Sequence, residues 1–178
     1  VCDSINQTLR ANKLKDAYIR VVCTRGFGFM GLDPDRCDHP TFFIITTSIT
    51  LYPDQWYRDG MPIVTAATIR NHPNALPPRL KSCNYLNNIL AKIEAKDAGV
   101  IEALMLNHQG YVAECTGDNI FIVREGELLT PPISAGILVG CTRNFVIELA
   151  GKLRPAVAVR EINITRHDLY VADECFLT

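Results

Sequence analysis

The chain contains 178 residues, of which 48% are hydrophobic and 21% are charged, and its formal net charge is −1. A chain of this length can bury roughly 70% of its unfolded surface, and the balanced charge leaves no basic excess for binding nucleic acid. No apolar run approaches the ~18 residues that a membrane span needs, so we predict a cytoplasmic globular protein with neither nucleic-acid nor membrane partners.

The cysteines and histidines give no sign of a metal site or a disulfide framework. Seven cysteines are scattered along the chain without a CxxC pair, and the four histidines have no ligand spacing. Spacing of this kind argues against both structural zinc and a disulfide scaffold. We therefore predict no metal, and cysteines that are reduced and mostly buried.

The first part of the chain predicts the end of a helix and then three strands. Residues 1–13 are helix-like, and the β-branched apolar runs at 16–26, 41–53 and 60–70 are typical of strands. A Gly/Pro-rich loop at 26–40 separates the first two strands and is too long for a simple hairpin turn.

The next segment carries the clearest helical pattern. Lys81 stands behind a Pro77–Pro78 turn, and an amphipathic helix is expected from Cys83 onward. Its apolar positions recur at helical spacing and are predicted to face the core: Leu86, Ile89, Leu90 and Ile93. The charged positions are predicted to face solvent: Lys92, Glu94 and Lys96.

The remaining segments alternate short strands with helices. Strands are predicted at 101–107, 111–116, 119–132, 156–164 and 174–178. The third of these is divided by a hairpin turn at Glu125–Gly126. A Gly-rich turn opens a helix at 136–153, and Thr165 is the expected N-cap of a short helix. The layout predicts an α+β fold with a large, mostly antiparallel, barrel-like sheet system and two long helices.

Four features of the chain carry chemistry only in combination. A lysine at a loop-to-helix junction is followed four residues later by a tyrosine (Lys81 and Tyr85), and a glutamate lies in a strand-end turn (Glu114). A glycine turn opens a helix, and an early strand places Tyr18 and Arg20 on one face, because side chains two residues apart in a strand point the same way. Taken singly, each has an ordinary explanation, such as a solvated lysine or a turn carboxylate.

Together these features resemble a known family. The stretches that carry the resemblance are "KSCNYLNNILA", "EALMLNHQGYVAECTGDNIFIV", "LLTPPISAGILVGCTR" and "ITRHDLYVADECFLT", with "AYIRVVCTRGFGFMGLDPDRC" upstream. In this order they are similar to the fold-type-IV pyridoxal-phosphate enzymes, specifically the branched-chain amino-acid aminotransferases. The resemblance covers nearly the whole chain and implies pyridoxal 5′-phosphate as the cofactor.

The resemblance implies a role for each candidate residue around the cofactor ring. Lys81 would hold the cofactor aldehyde and move a proton at the substrate's α-carbon, since a neutral amine can do both. Glu114 would pair with the protonated pyridine nitrogen. Tyr85 would hydrogen-bond the ring hydroxyl, and Leu138 would pack on the ring.

The cofactor phosphate is expected at the turn that opens the later helix. Cys141 and Thr142 would supply backbone N–H groups, which favour an anion at a helix N-terminus. This turn departs from the family, which usually has proline at the position of Val139 and isoleucine at that of Cys141. Because Cys141 would act through its backbone, the change should not abolish binding.

On the substrate side the resemblance implies four residues. Tyr18 would lie near the α-carboxylate, and Arg20 near the side-chain carboxylate of glutamate. Met30 and Leu32 would lend apolar lining to the pocket of a neighbouring subunit, which implies a homodimer or a higher homo-oligomer.

The ends of the chain depart most from the family pattern. The family's N-terminal α/β domain and the Gly-Thr-Ala segment that would follow Thr178 are both absent, so we expect an internal piece of a longer protein that binds the cofactor weakly by itself. The expected organisation is the end of the N-terminal domain and a first interdomain strand (1–26), an interdomain or dimer loop (27–41) and an incomplete cofactor-binding domain (42–178).

The function implied is transamination between branched-chain L-amino acids (leucine, isoleucine, valine) and 2-oxoglutarate, with amino acids and 2-oxo acids as the small-molecule partners. Two alternatives stay open. The same fold and cofactor support D-amino-acid transamination and aminodeoxychorismate lysis. A truncated product could instead be catalytically inactive and act only as a binding or assembly module.

Overall fold

The computed structural model describes residues 1–50 and 52–178, which form two compact units, Val1–Gly60 and Met61–Thr178. Leu51, inside a predicted strand run, lies outside the described residues. The division of the chain into 1–26, 27–41 and 42–178, predicted from the sequence, stays a prediction. Within the part of the chain that the structure describes, no helix is both long and apolar enough to cross a membrane.

The N-terminal unit, Val1–Gly60, is built on one antiparallel strand pair. Its elements are α1 (Cys2–Ala11), β1 (Tyr18–Thr24), a 3₁₀ turn (Pro34–Arg36), β2 (Thr41–Thr47) and α2 (Asp54–Asp59). β1 and β2 pair in continuous register from Tyr18 opposite Thr47 to Thr24 opposite Thr41. α2 was not predicted, because its six residues show no apolar period; it follows Pro53 and ends at Gly60, which has a positive φ of 84°.

The long loop between β1 and β2 is braced by its own side chains. Arg25 donates from Nε and Nη2 to the carbonyl oxygen of Pro34 at 3.1 and 2.9 Å, and Arg36 donates to that of Met30 at 3.1 Å. The chain crosses itself at Gly28, where a Cβ would lie 2.1 Å from the Arg36 carbonyl oxygen. The loop nevertheless leaves four large apolar side chains almost fully exposed: Phe27, Phe29, Met30 and Leu32.

The C-terminal unit, Met61–Thr178, contains two sheets. Its elements are β3 (Ile63–Thr65), α3 (Leu86–Asp97), β4 (Glu102–Leu106), β5 (Val112–Cys115), β6 (Ile120–Arg124), β7 (Glu127–Thr130), a 3₁₀ turn (Ile133–Ala135), α4 (Cys141–Lys152), β8 (Val159–Glu161), α5 (Arg166–Tyr170) and β9 (Glu174–Leu177). The strand orders are β3-β4-β5 and β8-β7-β6-β9. The pairs β3–β4 and β7–β8 are parallel, and the others are antiparallel. The predicted α+β class, the mostly antiparallel pairing and the two long helices are confirmed.

The main core of this unit joins side chains from both sheets. Its buried members include Leu104, Val112, Ile120, Ile122 and Ile164. A second cluster packs α3 against β4 through Ala91, Ala95, Ala103 and Met105. Alanines at this contact let the helix approach the strand closely. This packing fixes the position of α3 relative to β4 and its neighbour β5.

The side of α3 that faces the core was predicted wrongly. The apolar positions are exposed, with Leu86 at 63% and Ile89 at 52%, and Leu90 and Ile93 are similarly open. The buried positions are instead Asn88, Ala91 and Ala95. The pattern failed because small and polar side chains, which the hydrophobic period ignores, make the intramolecular contacts.

Glu94, predicted to face solvent, is in fact tied to the chain that follows β3. Its carboxylate accepts from the backbone N–H of Ala67 at 2.5 Å, from that of Thr68 at 2.9 Å and from the Thr68 hydroxyl at 2.6 Å. The Thr68 hydroxyl, followed by the two backbone donors, lowers the pKa of Glu94. These bonds attach the middle of α3 to Ala67 and Thr68, which shortly precede Arg70 in the chain.

The prediction of mostly buried cysteines is also wrong. Only Cys115 is buried; Cys37 is half-buried and the other five thiols are exposed. Burial raises the pKa of the Cys115 thiol. Apolar strand-like surroundings in the sequence did not imply burial, because β1 exposes most of its side chains.

Two local turn predictions are confirmed. Glu125 and Gly126 both have positive φ, 52° and 78°, and connect β6 to β7 as a tight hairpin, as expected for a primed turn. Thr165 caps α5: its hydroxyl accepts from the backbone N–H of Asp168 at 3.3 Å, while Asp168 accepts from the Thr165 backbone N–H at 2.8 Å. The result is a reciprocal capping box.

Loss of this capping box should reduce stability in a pH-dependent way. The Thr165 hydroxyl and backbone N–H, and then Arg124, lower the pKa of Asp168. A carboxyl whose folded pKa is lowered contributes stability above its unfolded pKa of about 3.9, and loses it as pH falls through the folded value. We expect Asp168→Ala in the full-length protein to lower the free energy of unfolding by about 1 kcal/mol at neutral pH.

Urea unfolding at a series of pH values checks this expectation. The difference from wild type should shrink as the pH falls below about 4. Asp97→Ala, which removes an exposed carboxylate at the end of α3, is the matched control. A deficit for Asp168→Ala that stays constant across the pH range would contradict the capping role.

Candidate active site

Glu114 is a buried carboxylate at the centre of the candidate site. It lies on β5 and is 4% exposed. One carboxylate oxygen, Oε1, accepts from Arg70 Nε at 2.8 Å; the other, Oε2, accepts from the Leu138 backbone N–H at 2.8 Å and from Asn119 Nδ2 at 3.2 Å. Burial raises the pKa of Glu114, and the Arg70 guanidinium opposes that rise. Protein donors thus hold the carboxylate from three sides.

Arg70 connects Glu114 to α3. It is 6% exposed, and its Nη1 donates to the side-chain oxygens of Asn87 and Asn88, each at 3.1 Å. Its backbone N–H donates to the Leu106 carbonyl oxygen at 2.8 Å. A guanidinium can satisfy several acceptors because its donors form a planar fork. Arg70 therefore sets the position of the first turn of α3 relative to Glu114.

Lys81 and Tyr85 lie on the segment that leads into α3. Lys81 is exposed and sits in a turn in which Leu80 N–H donates to the Pro77 carbonyl oxygen and Ser82 N–H to that of Leu80. A pocket of the C-terminal unit is lined by three predicted site residues, Tyr85, Glu114 and Leu138. The two sequence neighbours of Lys81, Leu80 and Ser82, line the same pocket. The positive charge of Lys81 also acts on Glu114, lowering its pKa as the smallest of the named influences. The structure thus brings Tyr85, Glu114 and Leu138 to one pocket, and Lys81 lies between two of its lining residues without lining it itself.

The turn before α4 presents backbone donors. Gly140 precedes the helix without a side-chain cap, and Cys141 and Thr142 are exposed in its first turn. The first N–H groups of a helix have no intrahelical acceptor, so they are available to an anion. Cys141 and Thr142 do not line the pocket with Glu114; the turn at 138–140 connects them to it.

Arg143, in the first turn of α4, holds this helix end against neighbouring strands. Its side chain is 2% exposed, and Nη2 donates to the Pro131 carbonyl oxygen at 2.9 Å and to Glu161 Oε2 at 2.6 Å. The first turn of α4 is therefore tied to the end of β7 and to β8. Sequence reasoning missed Arg143, since an arginine in a first helical turn is usually solvated.

The comparison with protein families agrees with this arrangement. The sequence profile described as amino-transferase class IV matches residues 1–178. The chain belongs to the class IV aminotransferases.

Relatives of this class IV aminotransferase chain are longer than it is. It is 49% identical over 176 residues to the Methanocaldococcus jannaschii protein named "Putative branched-chain-amino-acid aminotransferase", covering 99% of this chain and 59% of the relative. Its structure resembles that of the Escherichia coli branched-chain amino acid aminotransferase with a TM-score of 0.92 at 32% identity, covering 99% of this chain and 58% of the other. The chain thus spans less than two thirds of the length of these relatives.

One similar solved structure was determined with the cofactor bound. The branched-chain amino acid aminotransferase from Thermobaculum terrenum, in its PLP-form (holo-form), has a TM-score of 0.82 to this chain at 33% identity. The match covers 99% of this class IV aminotransferase chain and 57% of the other.

The predicted substrate residues of this class IV aminotransferase chain lie in its N-terminal unit. Tyr18 and Arg20 are exposed on β1, and Met30 and Leu32 are exposed on the braced loop. The pocket residues all lie in the C-terminal unit, so the substrate roles stay predictions. Arg25, which follows β1, bonds to the Pro34 carbonyl oxygen and braces the loop.

Sequence reasoning also missed Arg70 and Asn119, the two side chains that donate to Glu114. Arg70 ends an apolar strand-like run, and a lone cation there indicates a buried partner, but the sequence does not say which one. Asn119 stands next to Asp118 in a turn, where asparagine is common for local reasons. Only the fold shows that both side chains point at Glu114.

Proposed function

We propose that the whole protein is a pyridoxal 5′-phosphate-dependent aminotransferase that transfers the amino group between branched-chain L-amino acids and 2-oxoglutarate. The observation that carries this proposal is the buried Glu114 carboxylate, held by Arg70, Asn119 and the Leu138 N–H, in a pocket whose wall includes both neighbours of Lys81. The names of the similar proteins support the substrate class.

The residues of the pocket fit this cofactor. Each carboxylate oxygen can accept at two positions, and Oε1 of Glu114 accepts only from Arg70 among the described residues. One position is therefore left for a ring N–H, and the buried negative charge would keep that nitrogen protonated. Bound pyridoxal phosphate supplies an electron sink for the bonds at the substrate's α-carbon.

The other groups would hold the remaining parts of the cofactor. The Lys81 amine would hold the aldehyde carbon and, when released, would carry a proton to or from the α-carbon. The Tyr85 hydroxyl would hydrogen-bond the ring oxygen, and Leu138 would cover one ring face. The backbone N–H groups of Cys141 and Thr142 would hold the phosphate.

For the substrate we propose that Tyr18 binds the α-carboxylate and that Arg20 helps to accept the side-chain carboxylate of glutamate. Arginine suits this task because its planar fork matches a carboxylate. Met30 and Leu32 would supply apolar lining to the pocket of a second subunit.

We also propose that the protein is a homodimer or a higher homo-oligomer located in the cytoplasm. Two apolar surfaces support assembly: the exposed tip of the braced loop and the exposed apolar side of α3. Contiguous apolar patches are rarely left open to water. The seven unpaired thiols support a reducing compartment.

Reductive trapping on the full-length protein tests the cofactor assignment. After incubation with pyridoxal phosphate and reduction with borohydride, the added mass should be found by digestion and mass spectrometry on the peptide that contains Lys81. Lys96, exposed on α3, is the internal control and should remain unmodified. A label on another lysine, with Lys81 unmodified, would overturn the assignment.

Substrate assays on the same protein separate the alternatives. Turnover of L-leucine, L-isoleucine and L-valine with 2-oxoglutarate is expected. Turnover of D-alanine, or release of pyruvate from aminodeoxychorismate, in place of that activity would favour the other reactions of this fold.

A further inference from the structure

Asn119 lies where three parts of the site meet. It is 6% exposed and directly precedes β6. Its backbone is fixed by a reciprocal pair of hydrogen bonds with Thr178, 2.9 Å from Asn119 N–H to the Thr178 carbonyl oxygen and 3.0 Å in the opposite direction. Because β6 lies in the core of its sheet, the Asn119 side chain projects from a rigid base.

The Asn119 amide group bonds both to the site carboxylate and to the turn before α4. Nδ2 donates to Glu114 Oε2 at 3.2 Å and to the Leu138 carbonyl oxygen at 2.9 Å. The Leu138 N–H donates to the same Glu114 oxygen at 2.8 Å. Asn119, Glu114 and Leu138 therefore form a closed set of hydrogen bonds in which each member contacts the other two.

Gly140 shows how tightly the turn packs against Asn119. A Cβ added to Gly140 would lie 2.2 Å from Asn119 Oδ1, which is closer than atoms can approach. The backbone of Gly140, with φ −68° and ψ 141°, suits any residue. The glycine is therefore required by the Asn119 side chain and not by its own conformation.

We infer that Asn119 is a positioning residue that fixes the spacing between Glu114 and the N-terminus of α4; this inference rests on the proposed function. Those two elements would hold opposite ends of the cofactor, its ring nitrogen and its phosphate. The cofactor ring is rigid, so its two holders must keep a fixed separation to bind both ends at once. The hydrogen bonds of Asn119 reach Glu114 and the Leu138 carbonyl oxygen, and the Leu138 turn leads directly into α4.

Asn119→Asp in the full-length protein tests this inference. The substitution keeps the shape of the side chain, removes the donor shared by Glu114 and Leu138, and places a second negative charge beside Glu114. We expect the dissociation constant for pyridoxal phosphate to rise by on the order of 10- to 100-fold, since hydrogen bonds to a charged group are among the stronger ones. We also expect a shift in the pH midpoint of the bound cofactor's absorbance, because the charge around Glu114 changes.

The matched control is Asn107→Asp, the same change at another buried asparagine of the same unit. Asn107 is 4% exposed; it donates to the Ala135 carbonyl oxygen and accepts from two backbone N–H groups. It does not bond to Glu114. This variant should lose thermal stability but keep the absorbance midpoint and the cofactor affinity of the wild type.

A double-mutant cycle gives a second test if Asn119→Asp does not fold. Gly140→Ala should weaken cofactor binding by displacing the Asn119 side chain. The same change should cost less in an Asn119→Ser background, where the shorter side chain leaves room for the added methyl group. Such non-additivity is expected only for residues in contact that act together.

The outcomes distinguish this inference from the proposed function. If wild type forms no borohydride-trapped adduct at Lys81, the proposed function fails first. If wild type binds the cofactor and Asn119→Asp matches Asn107→Asp in affinity and absorbance midpoint, the positioning role is wrong and the proposed function stands. Fully additive effects of Gly140→Ala and Asn119→Ser would likewise overturn the positioning role.

Discussion

Lys81→Ala in the full-length protein is expected to lower aminotransferase turnover by at least about 10³-fold, because it removes both the amine that would hold the cofactor and the group that would transfer the proton. The melting temperature of the cofactor-free protein should stay within experimental error of wild type, since the Lys81 side chain is exposed. Steady-state kinetics and thermal unfolding measure the two effects.

Lys96→Ala is the control for this prediction, since it removes an exposed lysine from α3 and should leave both quantities unchanged. An active Lys81→Ala enzyme would show that another residue performs the chemistry. A large loss of stability in the cofactor-free variant would show that Lys81 has a structural role.

Arg70→Ala is expected to be the most destabilising single replacement in the site. It leaves Glu114 buried without its cationic partner. It also leaves the side-chain oxygens of Asn87 and Asn88 without the guanidinium N–H that donates to them. Breaking a buried ion pair by removing one partner typically costs about 3–5 kcal/mol, because the other charge remains buried and uncompensated. Urea unfolding of the cofactor-free full-length protein measures the change.

A paired replacement separates the unpaired charge from lost packing. Arg70→Met combined with Glu114→Leu removes both charges and retains most of the volume, so it should recover a large part of the lost stability while abolishing activity. Equal destabilisation by Arg70→Ala and by the double variant would mean that packing, and not the unpaired charge, dominates. Arg70→Lys should restore little, since an ammonium lacks the fork that reaches Glu114, Asn87 and Asn88 together.

Local chemistry made much of the fold predictable. The Glu125–Gly126 turn and the Thr165 cap follow from rules that act over a few residues, and both are confirmed. The β-branched runs that became β1, β2 and β6 carry the same local information. α2 escaped prediction because six residues are too few to show a helical period.

The side of α3 was not predictable from its own sequence. Hydrophobic periodicity indicates that a helix has an apolar side, but it does not say which molecule covers that side. In this chain Ala91, Ala95 and Asn88 make the intramolecular contacts. The leucines and isoleucines of α3 are exposed within the part of the chain that the structure describes.

The candidate site was predicted unevenly for a related reason. Lys81, Tyr85, Glu114 and Leu138 carry motifs that can be recognised in a linear sequence. Arg70 and Asn119 act through contacts with Glu114 that only the fold creates, the first from 44 residues away. Their residue types are ordinary for their local settings, so only the folded arrangement shows their part in the site.

In the proposed homo-oligomer, the brace formed by Arg25 would affect the kinetics of assembly. Its two bonds to the Pro34 carbonyl oxygen hold the β1–β2 loop in shape from within its own chain. A segment that is already ordered gives up little conformational freedom when another surface covers it. Encounters between subunits would then succeed without waiting for the loop to fold, and the dissociation rate would depend mainly on how well the four apolar side chains at its tip are accommodated.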